Sequence, residues 1–314
     1  MNTVLRALSF RLIQAGGVAL VVGVMSFLMM QAMPGDMAYR IAAARYGYDL
    51  VSADLADAVR AELRLEAGPF AQFLRWMGDL AQLDMGRSLV SGQPVWQEIA
   101  HQLGASLQLA AAAMGLSMLI GPPLGIFAGL HPGGWFDRVL LVVAAGFRAV
   151  PQFLLGLVLI VVLAVQLRLL PAAGHGSLAH FVLPALTLAL GLAAASARIA
   201  RDAMAAVAAS PHYAFARAKG LTEAQILRRH GLRNIAAPLV TYLGLQFVML
   251  AEGVVVVETI FGWPGIGHAL IHAVFHRDVP MVQGTALVMG LGFVLLNAVV
   301  DLIVRHIDPR EVQA

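Results

Sequence analysis

Arg198–Asn234 reads RIARDAMAAVAASPHYAFARAKGLTEAQILRRHGLRN. It carries seven Arg/Lys against two acids and holds the only lysine of the chain, Lys219. Long apolar runs flank it on both sides, yet it is itself too polar to cross a bilayer. Between membrane helices, a basic segment of this kind belongs on the cytoplasmic side. There it offers a short helix, a break at Gly220 and a second basic helix. That arrangement points to an integral membrane protein driven by a separate soluble subunit.

Composition sets the class. Of 314 residues, 60% are hydrophobic and 12% charged, about half the charge fraction of soluble domains. Uncharged stretches long enough to span recur along the chain. Cysteine is absent, which excludes a disulfide framework and thiolate chemistry. The net charge is only +3, so the basic residues are clustered; this fits sidedness in a membrane and argues against a nucleic-acid partner. Near the N-terminus, Leu12–Met33 is too long for a signal-peptide core and no small-x-small cleavage site follows, so it reads as a retained first helix.

Six spans follow: Leu12–Met30, one within Gln102–Leu130, Val139–Leu167, one from Phe181 past Ala197, Ile235–Val257 and Val279–Val300. The expected fold is all-α and polytopic. Arg6, Arg11, Arg138, the segment 198–234, Arg305 and Arg310 share one face, which the positive-inside rule makes cytoplasmic, with both termini. The segment 34–99, with six Arg against nine acids, is then external. It is too long for a bare loop, and Leu55–Val59–Leu63 and Phe70–Phe73–Met77 have helical spacing. The expected parts are a first helix over 1–31, an external helical insertion over 32–99, a core of five helices over 100–308 containing the segment 198–234, and a cytoplasmic tail over 309–314. Gly121-Pro122-Pro123 and Pro151 interrupt spans, which is tolerated where helices pack together or line a cavity. Small residues from Gly191 to Ser196 suit close helix contact.

Four blocks, in order, resemble one family: GRSLVSGQPV (Gly86–Val95), ARAKGLTEAQILRRHGLRN (Ala216–Asn234), ETIFGWPGIG (Glu258–Gly267) with RDVPMVQG (Arg277–Gly284), and VDLIVRHIDPR (Val300–Arg310). Together they look like the permease subunit of ABC importers for dipeptides, oligopeptides and nickel. The resemblance implies the six-helix type I importer permease fold and residence in the bacterial inner membrane. It implies a second homologous permease, two cytoplasmic ATPase subunits carrying ATP and Mg, and an external solute-binding protein; no cofactor is expected on this chain. It also implies that the basic segment is the coupling loop. The family pattern Glu-Ala-Ala-x-x-x-Gly falls on Ala214, Phe215, Ala216, Arg217, Ala218, Lys219 and Gly220. Ala214 stands where the pattern has glutamate, and Leu232-Arg233 where it has Leu-Pro; the peptide branch departs in this way. Independently, the small alanines suit a groove, Gly220 suits a left-handed helix stop, and Thr222 suits a cap for a helix over Glu223–His230. The plainer reading is a basic loop that only sets topology.

Enzyme motifs are missing. Lys219 is followed by Gly220-Leu221, so there is no P-loop, and neither His-Glu-x-x-His nor Gly-x-Ser-x-Gly occurs. No catalytic residues are expected, and ATP hydrolysis belongs to a separate subunit. The rival class is a secondary transporter or channel, which needs several buried ionisable groups; this chain has few.

Three sets of pathway residues remain. Arg148 and Glu252 lie inside spans, where a charge costs roughly 3 kcal/mol or more at the centre. At about 14 Å and 25 Å from the cytoplasmic side, they face the bundle interior, where they pair or line the path, or else snorkel to the interfaces. In the external turn, Trp263, Pro264, Gly265 and Gly267 form a rigid backbone with an aromatic anchor, expected to be an external gate or else a packed re-entrant turn. His268, His272 and His276 recur every four residues and share one helical stripe. They form an ordinary helix face or touch a metal-containing substrate in transit; Arg277 and Asp278 stand ready as salt-bridge partners. No resident metal is expected. Peptide import is the first reading, and nickel or metallophore import the alternative.

Overall fold

The computed structural model describes residues 2–63, 69–82 and 84–307. The expected tail 309–314 lies outside the described residues. In chain order the helices are α1 Asn2–Ala32, α2 Met37–Tyr46, α3 Ala53–Glu62, α4 Pro69–Ala81, α5 Val95–Leu130, α6 Trp135–Ala149, α7 Gln152–Leu159, α8 Leu178–Ala208, α9 Pro211–Ala218, α10 Glu223–Ile226, α11 Leu232–Phe261, α12 Ile266–His276 and α13 Val279–Ile307. Two π-helical stretches continue α7 (Ile160–Gln166) and α10 (Leu227–Gly231). Four of these helices are long and apolar enough to cross a membrane, or six if each bent pair is one span. The all-α membrane fold expected from the sequence is therefore present. Many outward side chains are apolar, among them Leu20, Met25, Leu119, Val142 and Leu295, as suits a surface solvated by lipid.

The chain divides into two compact units: Met1–Ala105 with Pro264–Leu295, and Ser106–Trp263 with Leu296–Ala314. The first unit contains α1 to α4. Asp36 and Ser52 cap α2 and α3 with their side chains, and Ala38, Ile41, Ala42 and Val59 form a small core between them. Segments at 34 and 88–89, far apart in sequence, are tied to the turn between α12 and α13. Asp278 is buried and accepts from the Ser88 hydroxyl and, at 3.0 Å, from the Leu89 amide. Arg277, in the left-handed region with φ 58°, is buried and donates to the Pro34 carbonyl. Asp278 thereby joins two of the motif blocks.

The second unit is built around α8. Gly121, Gly125 and Gly129 put three side-chain-free positions of α5, four residues apart, directly against it. A Cβ at Gly121 would strike Ser196 Oγ, one at Gly125 would strike the Ala197 carbonyl, and one at Gly129 would lie 2.5 Å from the Arg201 carbonyl. Such spacing allows the backbone approach that drives helix association in lipid. α11 lies along α8 as well, with Gln246 Nε2 donating to the Leu192 carbonyl at 3.3 Å.

The expected third span, Val139–Leu167, is not one rod. α6 ends at Ala149 and α7 starts at Gln152, with a bend of 103° between α6 and the helix through Gln166. Pro151 has no amide hydrogen, and its ring disfavours a helical residue before it; Val150 is extended accordingly.

Substituting Gly125 with valine forces α5 away from α8. The expected cost is about 1–3 kcal/mol or more, read as a lowered melting temperature and yield in detergent. Gly115→Ala, where no atom lies within 4 Å of the added Cβ, should leave both unchanged.

Candidate functional site

The basic segment begins inside α8, which carries Arg198 and Arg201, and then turns at Ser210–Pro211 into α9. Pro211 occupies the first helical turn, where a missing amide hydrogen costs nothing. At the other end, Gly220 has φ +80°. Its amide donates to the Arg217 carbonyl at 2.9 Å and the Leu221 amide to the Ala216 carbonyl at 3.3 Å, the paired bonds of a left-handed helix stop. Thr222 then starts α10 with a reciprocal cap: its hydroxyl accepts from the Gln225 amide, and the Gln225 side chain accepts from the Thr222 amide at 3.0 Å.

α9 has two faces. Tyr213 and Ala216 turn inward and pack with Met204, Ile226 and Ile235. Ala214, Phe215, Arg217, Ala218, Lys219 and Gly220 are exposed. Phe215 is 61% exposed, with Lys219 Nζ 4.6 Å from its ring centre. Of the seven coupling candidates, six are therefore available to a partner, and Ala216 anchors the helix. A polar clip locks α9 to α10: Arg217 Nε donates to Glu223 Oε1 at 2.6 Å and the Tyr213 hydroxyl to Glu223 Oε2 at 3.2 Å. The hydrogen bond from Arg217 holds the Glu223 carboxyl below its ordinary range, while burial, then the Glu223 charge, pushes the Tyr213 phenol up. A depressed carboxylate contributes above its unfolded pKa and is lost as pH falls through its folded one. The clip is thus made at neutral pH and opens only in acid.

The second basic helix does not end at His230. α10 passes through the π-helical turn Leu227–Gly231 into α11. A Cβ on Gly231 would lie 2.8 Å from Leu227 Cδ1, so glycine permits the widened turn. Residues 223–261 thereby form one helical passage from the basic segment to the Gly-rich turn.

That turn is seated on several elements of the second unit. Gly262 closes α11 in the left-handed region, and the Trp263 amide donates to the Glu258 carbonyl at 2.8 Å. The Phe261 carbonyl accepts from the Gly174 amide at 2.7 Å. Its ring lies against Gly156, where a Cβ would be 3.3 Å away. Trp263 is 9% exposed, and its ring lies 5.3 Å from that of Phe181. Glu258, fully buried, accepts from the Ser106 hydroxyl on α5. Beyond the turn, in the first unit, Gly265 caps α12, Pro264 is half-buried, and Gly265 and Gly267 are buried.

His268, His272 and His276 do share a stripe on α12, with ring centres 4.5 Å and 5.7 Å apart. Only His272 is exposed. The described residues hold no group of three His, Cys, Asp or Glu placed for a metal. Arg148 is exposed in the last turn of α6. The Glu252 side chain lies outside the described residues, so its pairing with Arg148 does too.

A pair that the sequence reading missed sits beside the basic segment. Asp137 is 2% exposed and accepts from Arg201 Nε at 2.7 Å, Arg201 Nη2 at 2.6 Å and the Gly133 amide at 2.8 Å. It ties the turn between α5 and α6 to α8. Its sequence signal is faint: one aspartate after Gly133-Gly134 at the head of an apolar run.

Comparison with known proteins places this architecture. The binding-protein-dependent transport system inner membrane component family matches residues 121–313. The chain belongs to this family, the permease subunits of ABC importers. The permease is 37% identical over 289 residues to the glutathione transport system permease protein GsiC of Escherichia coli (strain K12), covering 92% of this chain and 93% of that one. It is 37% identical over 290 residues, with the same coverage, to GsiC of Pectobacterium atrosepticum. Among solved structures it is similar in fold to the MetNI methionine ABC transporter in an inward-facing conformation (TM-score 0.56, 21% identity, 68% of this chain and 97% of that chain). An amino acid ABC transporter with histidines is also similar in fold (TM-score 0.51, 20% identity, 67% and 94%).

Arg201→Ala leaves the Asp137 carboxylate buried without its cation. The expected destabilisation is about 3–5 kcal/mol, measured by thermal or denaturant unfolding in detergent. The Asp137→Asn/Arg201→Gln double variant should recover more than half of that loss.

Proposed function

We propose that the permease lines half of the translocation pathway of an ATP-driven importer for small peptides, in the bacterial cytoplasmic membrane with both termini inside. A second homologous permease completes the pathway. Two cytoplasmic ATPase subunits hold ATP and Mg and carry out the hydrolysis, and an external binding protein delivers the solute. The observation that carries the reading is 37% identity across 92% of the chain to permeases named for glutathione, a tripeptide. The nickel or metallophore alternative rests on the histidine stripe of α12 and stands second.

α9 is the docking element for the ATPase. The exposed Phe215 ring, stiffened by Lys219, has the form of an interface anchor, and the Tyr213–Arg217–Glu223 clip makes α9 and α10 move together. A displacement of α9 by the ATPase then passes into α11, a rod about 45 Å long. At the far end of α11 the Gly-rich turn, held through Phe261, Trp263 and Glu258, serves as the external gate. Trp263, Pro264, Gly265 and Gly267 are its gate residues.

Uptake by the assembled complex in proteoliposomes tests this. Labelled dipeptide or glutathione should enter only with ATP, the ATPase subunits and the binding protein present; entry without ATPase contradicts the reading. Phe215→Ala should weaken ATPase docking by about tenfold or more, as loss of an aromatic anchor does. Uptake of labelled nickel but of neither peptide would favour the metal alternative.

A further inference from the structure

Within the first unit, α4 is packed against α1 by an aromatic ridge. Phe73 lies 5.1 Å from the ring of Phe27, and Trp76 covers Gly23 so closely that a Cβ there would be 2.5 Å from its ring. Gly23 and Phe27 belong to the candidate membrane span Ile13–Ala32. Gly23 lies nine residues before Ala32, or about 14 Å at the helical rise, which is close to the depth of one hydrocarbon leaflet, about 15 Å. α4 therefore packs against the later part of that candidate span. Phe70 and Leu74 on the same helix are 73% and 53% exposed. An amphipathic helix beside a membrane span has lipid as its neighbour.

Beside this contact is a half-open cavity of about 280 Å³. Phe27 and Trp76 line its apolar side, and Arg75, Asp79 and Asp84 bring one cation and two carboxylates. Gln283 of α13 lines it too; the side chain is 1% exposed, and its Nε2 meets no hydrogen-bond acceptor among the described residues. A buried amide donor in that position calls for an acceptor. The wall thus offers donors and a cation for a phosphate, carboxylates for an ammonium, and aromatic surface for the start of an acyl chain.

We propose that this cavity holds the head of an ethanolamine phospholipid. Its phosphate meets Arg75 and Gln283 Nε2, its primary ammonium meets Asp79 and Asp84, and its chains leave past the apolar Phe27–Trp76 side of the cavity. Phosphatidylglycerol brings no ammonium to the two carboxylates. Phosphatidylcholine has a bulkier head without N–H donors. The lipid steadies α4 on α1. The proposal goes beyond the transport reading and is independent of the substrate.

The test uses the assembled complex in nanodiscs of equal parts phosphatidylethanolamine, phosphatidylglycerol and phosphatidylcholine, with retained lipid measured by native mass spectrometry. The wild type should retain the ethanolamine lipid about tenfold over the other two, the discrimination of one good charge-assisted contact. Arg75→Gln, Asp79→Asn and Gln283→Leu should each bring retention towards the bulk ratio. A photoreactive phosphatidylethanolamine should label α4 or the start of α13 in the wild type, which decides the matter if a variant fails to assemble. Equal retention of all three lipids, no retained lipid, a preference for phosphatidylglycerol, selectivity surviving in all three variants, or labelling confined to other helices would overturn the proposal.

Discussion

The backbone contact of α5 with α8 sets much of the second unit. In lipid there is no hydrophobic drive between helices, because the solvent is as apolar as the side chains. Association must come from close packing and polar contacts, and Gly121, Gly125 and Gly129 supply the packing by letting α5 reach backbone atoms of Ala193, Ala197 and Arg201. With α5 in place, the turn after it delivers Asp137 to Arg201, and Ser106 earlier on α5 reaches Glu258 on α11. One contact face thus orients groups near both ends of the unit.

The polar pairs act differently from the glycines. Each joins segments far apart in sequence where a lone charge would be costly, and each is satisfied by more than one group or by a neutral donor. Asp137 is met by both Arg201 and the Gly133 amide. Asp278 is met by Ser88 and two backbone amides. Such pairs specify one arrangement while contributing little net stability, since desolvation offsets most of the attraction. They define which surfaces move as a body. In the second unit, that body includes the seat of the Gly-rich turn and the root of α9.

What could be read from the chain alone was local chemistry. The stop at Gly220 and the cap at Thr222 follow from residues within a few positions of each other, and both occur. The span count follows from hydropathy, and the break at Pro151 was visible as a proline, although its 103° bend was not. Pairings across 64 to 190 residues were hidden, because neither partner carries a periodic signal. Ser88 and Asp278 stood in separate motif blocks with nothing to say that they meet. The glycine ladder was seen as Gly121-Pro122-Pro123, a helix breaker, when its spacing of four was the informative feature. The cap at Thr222 suggests a helix over Glu223–His230, whereas the π-helical turn carries it on into α11.

The central claim is that the segment around α9 lies in the cytoplasm and is covered by the ATPase. The chain has no cysteine, so a single Lys219→Cys variant carries one reactive thiol, and a membrane-impermeant maleimide reports its side and its cover. The account predicts labelling in inverted membrane vesicles but not in right-side-out cells, and protection when the ATPase subunits are co-assembled. Labelling from the outside, or equal labelling with and without the ATPase, would contradict it.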